Sequence, residues 1–450
     1  MEKVIHANPD ADATSAINDA IGKVAKRGGG TVFLPPGKYR CGTLHMRSDV
    51  SLHIGPGALL EGAPDAGAYA RDCLRRKTGN PEAKHAEGAL LYGENVHNVA
   101  IFGEGTIDGN GAAFWTPSAG SHYLPADSRP HAIVQFVNSS RIRLGDLELR
   151  NAPCYTVWLL GCESVRMSGL RLRNPMHGPN TDGLDIDCCS RVTIRDCDIA
   201  VGDDCIALKS DTWRLGRNAA CADITVDNCV LSSPTCGVRI GYEGDGEIRN
   251  ACFSNLAMTR VRHGIDILSI VTRPPFTDMV HGATIHNMVF SNITLHAAQK
   301  AFYLWQGAGT DFTNADLKGG ISDLLFSNIV ADVSNGSYLG GVPENPVRNV
   351  SFEHVRCRFN AAAPAPTPQP PGVFGGSARF AHAYTLRHAE NITFHASSNH
   401  FGDWPGWQGD FDEGNHNASI SIASHRTRNN GVLENGMVGS KRLRHPWIQA

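Results

Sequence analysis

The chain contains no run of about 18 unbroken apolar residues, so no transmembrane helix is expected. The opening segment MEKVIHANPDADATSAINDA lacks an apolar leader core. A cytoplasmic location is therefore the expectation, although a secreted protein already relieved of its leader would read the same. Charge of one sign is not in excess. The formal net charge is -3, which provides no basic field for nucleic acid or a membrane surface. There are 13 cysteines but no CxxC pair of zinc spacing, and the adjacent Cys188 and Cys189 are no metal signature. No metal and no cofactor are expected. Several cysteines, including Cys197, Cys229 and Cys357, fall inside strand-like repeats, where buried free thiols act as small hydrophobes and suit a reducing compartment.

A tight repeat period is also missing, which argues against leucine-rich and tetratricopeptide arrays. What is present is a looser repeat, Val-x-Ile-x-x-Cys/Asn/Gly-x-Ile/Leu, in SRIRLGDLEL, ESVRMSGLRL, SRVTIRDCDI, ADITVDNCVL, HNMVFSNITL, SDLLFSNIVA and RNVSFEHVRC. Strands in register joined by corner loops of variable length are the mark of a parallel β-helix. The expected fold is all-β, a right-handed parallel β-helix (solenoid) with a short N-terminal capping helix over residues 16–25, stopped by Gly28-Gly29-Gly30. One domain over 1–450 is expected. Residues 1–45 form the cap and first strands and 46–360 the coils. Residues 361–376 form a Pro-rich loop, and 377–450 a last coil and a tail.

Six segments superpose without gaps: YTVWL from Tyr155, DGLDI from Asp182, DCIAL from Asp204, CGVRI from Cys236, HGIDI from His263 and KAFYL from Lys300. The second position is always small, and the third and fifth are always apolar, so period-2 alternation turns the latter two inward. The fourth then faces outward as a ladder of Trp158, Asp185, Ala207, Arg239, Asp266 and Tyr303. The first position forms a corner ladder of Tyr155, Asp182, Asp204, Cys236, His263 and Lys300. Coils stack about 4.8 Å apart, which brings distant residues together on one face.

Asp182 and Asp204 share that corner on adjacent coils, and Asp203 precedes Asp204. Glycoside hydrolysis uses two carboxyl groups, one to protonate the leaving oxygen and one to activate water. Three acids this close repel one another, which holds a proton on at least one of them. The same aspartates would equally serve as turn caps in Asn-Thr-Asp-Gly and Gly-Asp-Asp.

The run Asn180-Thr181-Asp182-Gly183, followed by Val201-Gly202-Asp203-Asp204-Cys205-Ile206-Ala207-Leu208-Lys209-Ser210, resembles the signature of polygalacturonase-type hydrolases, glycoside hydrolase family 28. The early GGGTVFLPPGKYRCGTLHMRSDVSLHIGPGALLEG and GEGTIDGNG resemble the same family, over about residues 10–300. The resemblance implies metal-free hydrolysis with inversion of an oligo- or polysaccharide. It implies Asp203 as general acid, Asp182 and Asp204 as holders of the attacking water, and Asn180 as a cleft residue.

The departures bear on specificity. Where the family has Gly-His-Gly this chain has Thr235-Cys236-Gly237, and where it has Arg-Ile-Lys this chain has Asp266-Ile267-Leu268. An acid at that place would repel a uronate. His263 either replaces the missing imidazole or is a surface histidine. Arg239 either meets a sugar carboxylate or pairs with Asp266, and Lys209 is a second cation of the first kind. Tyr303, Trp305 and Trp158 either stack on sugar or cover loops. His177 lies in the adjacent loop NPMHGPNTDG. Two alternatives remain open. One is a lyase or glycosyl-transferring enzyme with Lys209, Arg239 or Lys300 recruited as base. The other is a non-catalytic glycan-binding β-helix. The expected partners are a saccharide but neither nucleic acid nor membrane, in a monomer or homo-oligomer.

Overall fold

The computed structural model describes residues 2–8, 11–70, 86–120, 122–126, 128–272, 279–309, 312–367, 378–413, 420–429 and 432–434. They divide into two compact units, one containing Met1–Pro234 and the other Thr235–Arg273 and Asp278–Ala450. Each unit is built from parallel strands that wind coil upon coil. The fold is the expected right-handed parallel β-helix, the sense that parallel crossovers take.

In the first unit the helix Thr14–Lys26 turns Ile17, Ala20, Ile21 and Val24 inward and is the expected cap helix, two residues longer at its start. One sheet stacks Ala132–Val137, Tyr155–Leu160, Leu184–Asp187 and Ile206–Ser210 in parallel. Trp158, Asp185 and Ala207 are register partners, and so are Asp187 and Lys209. The alignment of unrelated-looking segments is therefore the physical register. The small second position has a steric cause: a Cβ on Gly183 would stand 2.3 Å from the Cys205 carbonyl oxygen.

The second unit repeats the plan with Cys236–Gly244, His263–Val271, Lys300–Ala308, Ser337–Gly340 and His382–Arg387. Its core is an aromatic stack. Phe253, Phe290, Phe326, Phe352 and Phe394 contribute one ring per coil, with successive centroids 4.8–5.0 Å apart and nearly parallel.

The loose repeat also acquires a cause. At its central position the chain turns with a left-handed backbone, between two strands at Asp146, Asp196 and His354 and inside one continuous strand at Asn228, Asn292 and Asn328, with φ of 52–59°. Asn, Asp and Gly tolerate this conformation best, hence the composition of the slot. Asn328 donates to Asn292, and Asn292 to Asn255, at 3.3 Å each.

Two expectations need correction. The fourth position does not face solvent: Trp158, Asp185, Arg239, Asp266 and Tyr303 are buried, because loops return over this face. The tail after ENITFHASS is also more regular than its sequence suggests. Strands Ser398–Gly402, Gly409–Asp412 and Ile420–Ala423 continue the parallel pairing, taking their register from the coil beneath rather than from an alternation of their own. From residue 368 onward the Pro-rich loop lies outside the described residues.

Candidate active site

In the first unit, the corner ladder brings Asp182, Asp203 and Asp204 together. One carboxylate oxygen from each lies within 4.8 Å of the other two. Asp182 precedes the strand Leu184–Asp187, and the aspartate pair precedes Ile206–Ser210. The corner is locked by backbone bonds, with Gly183 N donating to Asp204 O at 2.8 Å and Leu184 N to Cys205 O at 3.0 Å. Asp203 Oδ1 accepts from Asp204 N at 3.0 Å, a turn that lets neighbouring aspartates join one cluster despite strand alternation. Ser233 Oγ donates to the Asp203 carbonyl oxygen. Gly202 permits the close loop approach: a Cβ there would meet Pro175 O and Thr181 Oγ1, both at 2.5 Å.

The three acids differ in exposure. Asp182 and Asp204 are 5% and 7% exposed, whereas Asp203 is only partly buried. Burial, then Asp185 and Asp203, push the Asp182 carboxyl well above the usual range, against the pull of Lys209. Asp182 Oδ1 is buried and has no hydrogen-bond partner among the described residues. Crowding of like charges favours a proton held within the cluster, and its titration belongs to the set rather than to one residue.

Around the cluster, Asn180 adopts a left-handed backbone with φ 53°, and its Oδ1 accepts from Arg129 at 2.7 Å. Arg129 is buried and also donates to the carbonyls of Pro153 and Pro179. It fixes the Asn180 loop and has no sequence signal of its own, since it lies 51 residues upstream in the two-residue strand Arg129–Pro130, outside the repeat. His122, whose ring meets the Gly202 carbonyl oxygen at 3.0 Å, was equally invisible to pattern reading. His177 is exposed, next to the Tyr123 ring at 5.7 Å. Lys209 is not at the surface, and its Nζ sits 2.8 Å from Asp185 Oδ1. Deeper lies a second charged group. Asp187 is pushed up to about 7 by burial and by Asp211, while Arg214, bound to Asp211 at 2.9 Å, opposes this.

The remaining candidates belong to the second unit and form their own cluster. Asp266 Oδ2 accepts from Arg239 at 3.1 Å and contacts His263 Nδ1 at 2.7 Å, with Cys236 Sγ at 3.4 Å. Lys300 Nζ lies 3.3 Å from His263 Nε2. All five are buried. His263 is thus not a surface histidine, and of the two alternatives for Arg239 the structure shows the pairing with Asp266. Burial holds the His263 ring down to about 4 and the Lys300 ammonium down to about 8. Tyr303 packs on His263 and Tyr338, while Trp305 borders a cavity of about 450 Å³ with Tyr338, Val342, Pro343 and Arg387. Among the described residues, two sets have donor atoms close enough to share a cation, the three aspartates and Cys236–His263–Asp266. In the second, Arg239 and Lys300 already stand where counter-charge is needed.

The sequence profile of the glycosyl hydrolases family 28 matches residues 34–216, a stretch that includes all three aspartates. A probable polygalacturonase of Vitis vinifera is 26% identical over 363 residues, covering 78% of this chain and 72% of the relative. Polygalacturonases of further plants match over about half of their own length. Among solved structures, an exopolygalacturonase from Thermotoga maritima superposes with a TM-score of 0.67 at 19% identity, covering 79% of this chain and 87% of that one. A polygalacturonase from Erwinia carotovora gives 0.63 at 22% identity, over 79% and 92%. At these identities the likeness establishes the fold.

Proposed function

We propose, from the premise that this chain belongs to glycosyl hydrolase family 28 and is a glycoside hydrolase, that it cleaves a pectin-like acidic saccharide with Asp203 as general acid and Asp182 and Asp204 as holders of the attacking water. The observation that carries this is the convergence of the three carboxyls in one corner, with Asp203 the most exposed. Asp203 can reach a glycosidic oxygen. Asp182 and Asp204, nearly withdrawn from solvent, can hold one water between them, and the partnerless Asp182 Oδ1 is the natural acceptor of its proton.

Inversion rests on the family resemblance alone. Oxygens within 4.8 Å are closer than the about 6.5–9.5 Å that usually separates an inverting pair, so carboxyl spacing does not argue for it. The anomer of the first product, read by proton NMR during early turnover, decides. The opposite configuration supports the assignment and the same configuration overturns it.

Specificity should differ from that of a relative holding a uronate through Arg-Ile-Lys. At that register stands Asp266, and Arg239 is committed to it. We infer a substrate poor in free carboxylates, such as an esterified or substituted pectin. The test is a reducing-end assay on polygalacturonate, methyl-esterified pectin and a neutral glucan, with absorbance followed for unsaturated uronate. Saturated products with esterified pectin preferred are expected. An unsaturated product, or no turnover on any of the three, sinks the reading.

A further inference from the structure

Lys209 has surroundings that suit a task other than gripping a sugar. It is 3% exposed. Its Nζ lies 2.8 Å from Asp185 Oδ1 and 3.7 Å from Asp182 Oδ2. It donates to Tyr155 Oη at 3.3 Å and stands 4.4 Å from the centre of that ring, which also meets His131 edge-on at 5.0 Å. The register explains the meeting. Asp185 pairs with Ala207, and Lys209, two residues on and paired with Asp187, brings its Nζ to the Asp185 carboxylate.

We propose that Lys209 is a positioning residue for Asp182. By pairing with the fully buried Asp185 and reaching Asp182 Oδ2, it works against the burial and like charges that raise the Asp182 carboxyl, and so favours the basic form with Oδ1 turned toward the water. This rests on the reading of Asp182 as a water-holding residue. The charged groups facing Asp182 are Asp185 on its own strand, Asp203, Asp204 and Lys209 on the next, with the phenol of Tyr155 on the strand before. Four carboxyls crowd this place, and Lys209 is the ammonium set against them. Without it, Asp182 and Asp185 would be buried anions lacking that counter-charge, and each would take up a proton. A protonated Asp182 cannot accept the proton of water. Removing the charge of Asp185 does the opposite, because a like charge beside Asp182 is lost while the ammonium stays.

The experiment compares Lys209→Met and Asp185→Asn, following kcat and KM from acid to neutral pH on the best substrate of the panel, with thermal melting alongside. Lys209→Met is expected to move the acid limb of the profile up by about 1–3 pH units and to lower kcat with KM nearly unchanged. Asp185→Asn is expected to move the limb down. A rise in KM with kcat kept would make Lys209 a substrate contact, and a loss of melting temperature with both limbs unmoved would make it a structural ion pair. Either result overturns the proposal. If Lys209→Met does not fold, the direction of the Asp185→Asn limb decides. If the wild-type protein turns over nothing, the substrate reading has failed independently. A carboxyl NMR titration of Asp182 in wild type and Asp185→Asn then reads the same downward displacement, and its absence refutes the role of Lys209.

Discussion

At the scale of single residues, the acids of the corner ladder differ in role because they differ in burial. Asp203 is the acid of the three that solvent reaches most and the proposed proton donor, so Asp203→Asn should lower kcat by about 10²–10⁴-fold while melting stays unchanged. Full activity in that variant would mean the acid lies elsewhere. Asp187, deeper on the same strand as Asp185, tests the electrostatics without touching chemistry. Its folded-state value of about 7 lies above the ordinary carboxylate range. The folded protein therefore keeps a proton that the unfolded chain has released, and stability is lost as pH rises toward 7. Asp187→Asn keeps the Oδ1 that accepts from Asp211 N and removes the charge. It should raise the melting temperature at pH above 7 relative to wild type and do little in mild acid. A uniform change at both pH values would show that the charge is not the cause.

At the scale of elements, one coil supports the next through two devices with separate costs. In the second unit the Phe326 ring is stacked between Phe290 and Phe352 and touches Phe302, all within 5.0 Å by centroid. Phe326→Ala should cost about 3–5 kcal/mol, measured by chemical denaturation. The corner asparagines act through the backbone. Asn292, with φ 56°, should lose about 1–2 kcal/mol on substitution by Ala and markedly less by Gly. Equal costs for Ala and Gly would place the stabilisation in the side-chain ladder instead of the left-handed turn. Both devices were visible as a repeat in the sequence. The left-handed corner was not, because a slot filled by Asp, Asn, Gly or His has one shared property, the φ it tolerates.

For the molecule as a whole, pH acts through His263 and through Asp187 with opposite sign. The His263 ring, held down to about 4, stays neutral in the folded state where an unfolded histidine would be protonated. That contribution is complete above about 6.5 and is lost as pH falls toward 4, up to about 3 kcal/mol. His263→Gln should flatten the acid side of the stability curve, whereas Asp187→Asn acts on the side toward 7. Unfolding curves over this range that keep the same slope with and without His263 would contradict the burial argument. No disulfide joins the described cysteines, and all but the partly buried Cys252 are buried, so reductant should leave the melting temperature unchanged.

Sequence alone determined the parallel coils, their register and the meeting of Asp182 with Asp203 and Asp204. Alternation, small second positions and coil spacing are local rules that repeat, and repetition makes them readable. Only the tertiary structure decided which of the aligned side chains meet water. Burial of Asp185, Lys209, His263 and Asp266, and the hold of Arg129 on Asn180, depend on segments far away along the chain that carry no period. The same lysine reads as a free cation in one dimension and as a counter-ion in three.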